Sequence, residues 1–202
     1  MIKSSFLVYI AGNIGAGKST VVDFASRQRG WQGILEEQEE FLRHALEHAP
    51  SKFHSQVYFS MRRLEQNNII RDHVVSVVER SIEEDRYVFW NYYKNKNLLS
   101  DEDIQALYYM YTIIKPNFRT PDLIIFLSVP TDIIRTRIEM RNRSFEQDFD
   151  LSLLEQLENS YKNTITEEGV VQLITVDGDR DPLSVWKDVR NTINHALKSR
   201  GH

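Results

Sequence analysis

With 202 residues, 41% of them hydrophobic and 27% charged, the chain has the size and apolar content of one soluble globular domain spanning residues 1–202. Its formal net charge of −4 argues against nucleic acid as a main partner, since a polyanion binds a basic surface. The lack of cysteine excludes disulfides and thiolate metal sites. Because the sequence shows neither a signal peptide nor an apolar run of about 18 residues, we expect a cytoplasmic protein with no membrane partner.

The first predicted strand, residues 5–11, leads directly into a glycine-rich loop. The loop consists of Gly12, Asn13, Ile14, Gly15, Ala16, Gly17, Lys18, Ser19 and Thr20. It fits the phosphate-binding pattern Gly-x4-Gly-Lys-Ser/Thr, and helical spacing follows it. Because such a loop aims backbone N–H groups at an anion, we expect a nucleoside triphosphate here, with Lys18 on its β- and γ-phosphates and Ser19 on the bridging Mg²⁺.

A short second strand over residues 33–35 ends in an acidic run, residues 36–40. Ligands of open parallel sheets bind at the carboxyl ends of the strands, so a carboxylate at this point is a candidate catalytic residue. The alternative is a solvated acidic start to the next helix, residues 41–49, which the helix dipole would favour.

The next predicted helix covers residues 53–73 and carries Gln56, Phe59 and Arg63 on one face. An amide, an aromatic ring and a guanidinium on one face suit the reading of a nucleobase. A polar surface stripe is the alternative.

A buried third strand, residues 74–78, is followed by Glu79, Arg80 and Ser81. Charges at the end of a buried strand are costly unless they are paired. Beside the phosphate loop, Glu79 can hold Mg²⁺ and Arg80 can contact the transferring phosphate. The alternative is an ion pair that caps the following helix, residues 82–93.

A helix capped by Ser100 runs to Pro116 and is rich in aromatic residues, which is typical of a core or a subunit interface. The fourth strand, residues 122–129, leads to a helix with Thr131 as its candidate cap.

Three arginines, Arg137, Arg141 and Arg143, lie within two turns of this helix. Because close cations repel one another unless an anion joins them, we expect an arginine-rich lid over the triphosphate at about residues 137–150. A solvated basic patch is the alternative.

The chain continues with a predicted helix over residues 151–168, a strand over residues 170–176, a turn and a closing amphipathic helix over residues 183–198. Strands that alternate with helices indicate an α/β protein. We predict the three-layer P-loop NTPase fold, with a five-stranded parallel sheet flanked by helices.

These motifs, taken together and in order, resemble the deoxynucleoside kinase family over nearly the whole chain. The matching positions are the phosphate loop, Glu36 with Phe41, Gln56 with Arg63, Glu79-Arg80-Ser81 with Asp85, and Arg137, Arg141 and Arg143 with Glu146. The resemblance implies transfer of the ATP γ-phosphoryl group to the 5′-hydroxyl of a deoxynucleoside, with Mg²⁺, by a homodimer.

The resemblance also implies residue roles in phosphoryl transfer. Glu36 is the expected general base, and Glu37 is its competitor because the family usually has Glu-Pro at these two positions. Ser19 and Glu79 are the expected Mg²⁺ ligands. The residues expected to stabilise charge on the moving phosphoryl group are Lys18, Arg80, Arg137, Arg141 and Arg143.

The resemblance to the family also implies which residues contact the two substrates. The expected acceptor contacts are Glu36, Phe41, Gln56, Arg63, Arg80, Asp85, Phe89 and Glu146, the last on the 3′-hydroxyl. Asp179 and Asp181, in the loop over residues 178–182, are expected near the adenine of ATP. Family members that take purines or cytosine carry an Arg–Asp pair matching Arg63 and Asp85, so we favour deoxyadenosine, deoxyguanosine or deoxycytidine over thymidine.

The chain departs from the family pattern at two points. No tyrosine lies between Phe41 and Gln56, where the family places a partner for the 3′-hydroxyl, and His44 and His48 are the alternatives for that role. The family also carries a tryptophan just before the helix of the glutamine, where this chain has Ser51-Lys52-Phe53. Two other functions stay open: a thymidylate-type monophosphate kinase, which the acidic residues 36–40 disfavour, and a nucleotide-binding subunit without turnover.

Overall fold

The computed structural model describes residues 5–36, 43, 47–143, 154–156, 158–159 and 173–200. Within them five parallel strands form one sheet in the order β2-β3-β1-β4-β5. The strands are β1 (Phe6–Gly12), β2 (Trp31–Ile34), β3 (Val75–Glu79), β4 (Leu123–Ser128) and β5 (Leu173–Asp177). The predicted five-stranded parallel sheet flanked by helices is therefore confirmed.

The central strand β1 brings the phosphate loop to the edge of the sheet where charged residues collect. All seven of its residues are buried, as expected of a strand with helices on both faces. Its register pairs Ile10 with Glu79 on β3 and Gly12 with Leu127 on β4. The loop thus begins beside the carboxyl end of β3, where Glu79 and Arg80 lie.

Most of the helices begin and end close to the predicted positions. They are α1 (Lys18–Ser26), α2 (Lys52–Asn68), α3 (Asp101–Ile114), α4 (Thr131–Arg141) and α5 (Pro182–Ser199). Between β3 and α3 the chain forms three consecutive helical pieces, Ile82–Glu84, a π-helical Asp85–Trp90 and Asn91–Asn95. Within the described ranges, no helix has both the length and the apolar content needed to cross a membrane.

Alternating residues of the strands supply two cores, one on each face of the sheet. Val8 and Ile10 pack on the side of α1 and α5, whereas Leu7 and Tyr9 pack with Val88 on the opposite side. Burial of these apolar side chains is the main force that holds the helices on the sheet.

Two tryptophans lie in the core beside α5. Trp186 of α5 stacks on Phe24, with ring centroids 6.1 Å apart, and meets the edge of Trp31 at 5.7 Å. The third tryptophan, Trp90, is fully buried in a separate cluster, where it meets the edge of Tyr108 on α3 at 5.8 Å.

The aromatic helix α3 is partly core and partly surface. Its residues Leu107 and Tyr111 are buried against Trp90. On its other side Tyr109 is 71% exposed and Ile113 is 57% exposed. The predicted core role is therefore confirmed for the buried face, and the subunit interface stays a prediction.

Two local predictions were wrong. The helix expected to end at residue 73 ends at Asn68, because Gln32 binds the next backbone groups: its amide donates to Ile69 O at 2.9 Å and accepts from Arg71 N at 3.0 Å. Thr131 does not cap α4, since Pro130 occupies the cap position. The helix predicted over residues 41–49, and most of that over residues 151–168, lie outside the described residues.

Candidate active site

The phosphate loop has the backbone that its glycines allow. Gly12, Gly15 and Gly17 adopt φ values of 145°, 81° and 95°, in a region that side chains disfavour. Gly17 precedes α1, and no side chain caps that helix. The N–H groups of its first turn are therefore available to an anion, which the helix dipole also favours.

Side-chain hydrogen bonds hold this loop in shape. Asn13 donates to Leu154 O at 2.7 Å and accepts from Ile14 N at 2.8 Å. Lys18 Nζ donates to Asn13 O at 2.8 Å. Burial, with a further contribution from the charge of Arg80, lowers the pKa of Lys18 to about 8. A phosphate beside this buried ammonium would stabilise its charged form.

The predicted Mg²⁺ ligands meet behind the loop. Ser19 Oγ donates to Glu79 Oε1 at 2.8 Å, and Glu79 Oε2 accepts from Glu36 N at 3.3 Å. No group of three or more acidic or histidine side chains that could hold a metal occurs within the described ranges. One hydroxyl and one carboxylate fit Mg²⁺, which takes few protein oxygens and fills its other positions with water and substrate phosphates.

Glu36 lies between two buried guanidinium groups. Arg63 Nη2 donates to its Oε1, and Arg80 Nε donates to its Oε2 at 3.2 Å. Burial favours the neutral acid, but the attraction of Arg63 and then Arg80 outweighs it and lowers the pKa of Glu36 to about 2. The carboxylate is therefore ionised at neutral pH.

Arg80 is fixed by its backbone and by three neighbours. Its φ of 62° is left-handed, an uncommon conformation for a residue with a side chain. Besides Glu36, it donates to Glu84 Oε1 at 3.3 Å and lies over the ring of Phe89, 4.8 Å from the centroid. The left-handed turn at the end of β3 thus places a guanidinium in the cavity that the phosphate loop also lines.

Arg63 also pairs with Asp85 in the predicted base pocket. Arg63 Nε lies 3.4 Å from Asp85 Oδ2, and both side chains are buried. Burial raises the pKa of Asp85 to about 7, while Arg63 opposes that shift. Gln56 and Phe89 line the same pocket, together with Phe59 of the predicted base-reading face.

One cavity of about 560 Å³ joins the donor loop to this pocket. The predicted site residues in its wall are Ile14, Gly15, Ala16, Gly17, Lys18, Ser19, Thr20, Glu36, Gln56, Arg63, Glu79, Arg80, Asp85, Phe89, Arg137, Arg141 and Arg143. Gly12 and Asn13 lie behind the wall. Phe41 and Glu146, with Glu37 and residues 144–150 of the expected lid, are outside the described residues.

The loop after β5 lines the cavity, but the two aspartates expected there are not the residues that do so. Gly178 and Pro182 line the wall, whereas Asp179 and Asp181 do not. Asp181 caps α5 by accepting from Ser184 N at 3.0 Å. Arg137 Nη2 donates to Gly178 O at 2.9 Å and lies 3.8 Å from Asp179 Oδ1.

Sequence reasoning missed three residues of the site. Gln66 accepts from Arg63 and donates to Leu35 O and Glu79 O, which ties α2 to the ends of β2 and β3. Its spacing of three from Arg63 was an available signal. The capping-box spacing from Ser81 likewise marked Glu84. Tyr93, in the cavity wall, carried no local signal.

Comparisons with known proteins identify the family of the chain. The deoxynucleoside kinase family model matches residues 8–199. A deoxyadenosine/deoxycytidine kinase of Bacillus subtilis (strain 168) is 30% identical over 82% of this chain and 79% of its own length. A deoxyguanosine kinase of the same strain is 27% identical over 85% of this chain and 86% of its own.

The fold also matches a solved structure. Deoxyadenosine kinase from M. mycoides with bound dCTP superposes with a TM-score of 0.75 at 22% identity, covering 94% of this chain and all of that one. The chain therefore belongs to the deoxynucleoside kinase family, and it is a phosphotransferase that phosphorylates deoxynucleosides.

Proposed function

We propose that the chain transfers the γ-phosphoryl group of ATP to the 5′-hydroxyl of a purine deoxynucleoside or deoxycytidine, with Glu36 as the general base. The observation that carries this proposal is the cavity whose wall contains both the phosphate loop and the mostly buried carboxylate of Glu36, together with Gln56, Arg63, Asp85 and Phe89. Two substrates can meet there with the 5′-hydroxyl between Glu36 and the triphosphate.

In the proposed step the 5′-oxygen bonds to the γ-phosphorus as the bond from that phosphorus to the β,γ-bridging oxygen breaks. ADP leaves with the electron pair of the broken bond, and the hydroxyl proton passes to Glu36. A carboxylate with a pKa of about 2 is a weak base. Phosphoryl transfer has a loose transition state, so positioning of the hydroxyl contributes more than base strength.

Cationic side chains surround the path of the phosphoryl group. Lys18 of the loop, Arg80 after β3, and Arg137, Arg141 and Arg143 near the end of α4 all line the cavity. We assign them to the charge that develops on the transferring oxygens. Mg²⁺ would be held by Ser19 and Glu79 and would supply positive charge that stabilises the negative charge of the phosphates.

The base preference rests on the Arg63–Asp85 pair. A guanidinium donates and a carboxylate accepts, so the pair can meet a base edge that carries both an acceptor and an amino donor. Adenine, guanine and cytosine have such edges. The names of the two Bacillus subtilis relatives, which cover deoxyadenosine, deoxycytidine and deoxyguanosine, support this choice.

We also infer a cytoplasmic homodimer from the family resemblance. The exposed Tyr109 and Ile113 of α3 support the dimer, because two large apolar side chains on one helix face suit a subunit interface.

The test is an assay of the purified protein with Mg²⁺, ATP and each deoxynucleoside or its monophosphate. We expect nucleoside monophosphate as product, with thymidine giving the lowest kcat/KM. The highest kcat/KM for thymidine would overturn the base assignment. Turnover of monophosphates alone would point to a monophosphate kinase, and nucleotide binding without turnover would point to a regulatory subunit.

A further inference from the structure

Arg63 connects the predicted base pocket to the reacting carboxylate. Its Nη2 contacts Glu36 Oε1 and also lies 3.5 Å from Asp85 Oδ1. Its Nη1 donates to Gln66 Oε1 at 3.1 Å, which fixes the direction of the guanidinium. The side chain is buried on α2. A single group therefore touches both the base-reading carboxylate and the catalytic one.

The contact between Arg63 and Asp85 is incomplete. Arg63 Nε and Asp85 Oδ2 are 3.4 Å apart, but both atoms are buried and have no hydrogen-bond partner in the part of the chain that the structure describes. Buried donors and acceptors without partners are costly. A small shift of the guanidinium towards Asp85 that joins Nε to Oδ2 would satisfy both atoms, and a base bound against this pair would favour that shift.

Each carboxylate oxygen of Glu36 holds one guanidinium donor, one from Arg63 and one from Arg80, and keeps a second acceptor position. Two cationic donors reduce the basicity of a carboxylate and compete with a substrate hydroxyl for its lone pairs. Weakening one of the two contacts would make that oxygen of Glu36 a stronger acceptor for the 5′-hydroxyl.

We propose that Arg63 is a positioning residue that couples recognition of the nucleobase to the orientation of Glu36. A base that completes the Arg63–Asp85 pair draws the guanidinium towards Asp85, and Glu36 Oε1 then accepts from the 5′-hydroxyl. A base that leaves the pair incomplete leaves Glu36 held by both arginines. Base identity therefore changes kcat as well as KM. This inference rests on the proposed function.

The experiment measures kcat and KM at saturating ATP and Mg²⁺ for deoxyadenosine, deoxyguanosine, deoxycytidine and thymidine. The wild type is compared with Arg63→Lys and Arg63→Met, and Arg62→Lys and Arg62→Met serve as matched controls from the same helix. In the wild type we expect kcat to differ between favoured and disfavoured bases. In both Arg63 variants the ratio of kcat for favoured bases to kcat for disfavoured bases should shrink by about tenfold. This is the effect of losing about one hydrogen bond to a charged group.

Two results would overturn the coupling. If the Arg63 variants raise KM but keep the wild-type ratio of kcat between favoured and disfavoured bases, Arg63 only contacts the nucleobase. The same conclusion follows if the wild type has equal kcat values for all four nucleosides. If kcat falls equally for every nucleoside, Arg63 only supports the fold. Arg63→Lys keeps a positive charge between the two carboxylates, so it carries the test if Arg63→Met does not fold. A wild type that phosphorylates no deoxynucleoside would instead refute the proposed function.

Discussion

At the scale of single residues, the cavity wall concentrates charges that are seldom buried. Glu36, Glu84 and Asp85 meet Arg63 and Arg80 in an unbroken chain of contacts. Buried ion pairs of this kind add little net stability, because desolvation offsets the attraction, but losing one partner leaves an uncompensated charge. The cluster is therefore better explained by chemistry than by stability.

Replacement of Glu36, the proposed general base, tests the phosphoryl-transfer step most directly. We expect Glu36→Gln to lower kcat by roughly 10²–10⁴-fold, because the amide cannot accept the hydroxyl proton. The change in KM should be smaller. Steady-state assays with deoxyadenosine measure both constants, and Glu37→Gln is the matched control. A normal rate for Glu36→Gln with a low rate for Glu37→Gln would transfer the role to Glu37.

Asp85 should make stability depend on pH in a defined direction. Its pKa is raised from 3.8 to about 7 in the folded state, so the folded chain binds the proton more tightly than the unfolded chain. The contribution of Asp85 to the free energy of unfolding is thus complete below about pH 4, and it is lost as the pH rises to about 7. Glu36, whose pKa is lowered from 4.5 to about 2, stabilises the fold fully only above about pH 5, and this contribution declines as the pH falls towards 2.

The variant Asp85→Asn removes that titration. Relative to the wild type, its free energy of unfolding should rise by about 1–4 kcal/mol between pH 4.5 and pH 8. Urea unfolding at several pH values measures the difference. The exposed Asp72, whose pKa is lowered by its bond to Arg119, provides the control, since the Asp72→Asn difference should stay flat. A flat curve for Asp85→Asn would contradict the pKa assignment.

At the scale of elements, one glycine sets how closely α1 approaches β2. A Cβ added to Gly33 would lie 2.4 Å from Val22 O and 2.9 Å from Ser26 Cβ, and a backbone carbonyl cannot move away easily. This close approach keeps α1, and the phosphate loop that precedes it, against the sheet.

We expect Gly33→Ala to destabilise the fold by about 1–3 kcal/mol through overpacking. Chemical denaturation measures the loss, with Arg29→Ala at an exposed position nearby as the control. Because α1 would be displaced, KM for ATP should rise more than KM for the nucleoside. Unchanged stability would show that the strand and helix can separate without cost.

The sequence was most informative where local chemistry and chain order agreed. The apolar residues before Gly12 and the helical spacing after Lys18 identified the central strand, the loop and α1. Boundaries set by tertiary contacts were not readable in this way: Gln32 ends α2 from a distant strand, and the π-helical turn that begins at Asp85 has no local pattern. Glu36 could be named as the base, but its two arginine partners come from α2 and from the end of β3.

At the scale of the whole molecule, the sheet order explains why distant motifs meet. Strands β1, β3 and β4 are neighbours, so residues that follow each of them collect at one edge. This is the expected position for ligands in an open parallel sheet. The cavity extends to where α2 and residues 82–95 cover this edge, so the proposed donor and acceptor sites share it.

The proposed dimer can be tested at the same scale. Ile113→Glu places a charge on the exposed apolar face of α3 and should shift the protein from dimer to monomer, because a charge is costly inside an interface. Sedimentation at several concentrations measures the change, and Glu102→Gln on the same helix is the control. A wild type that sediments as a monomer would remove the basis for a dimer.

The positions of the three tryptophans give the protein two built-in optical probes. Trp31 and Trp186 report on the packing of α5 against the sheet, while Trp90 reports on the packing of α3. None of the three belongs to the cavity wall as the structure describes it. Intrinsic fluorescence should therefore follow the melting of each region when the other tryptophans are replaced by phenylalanine, with little direct quenching by a bound nucleoside.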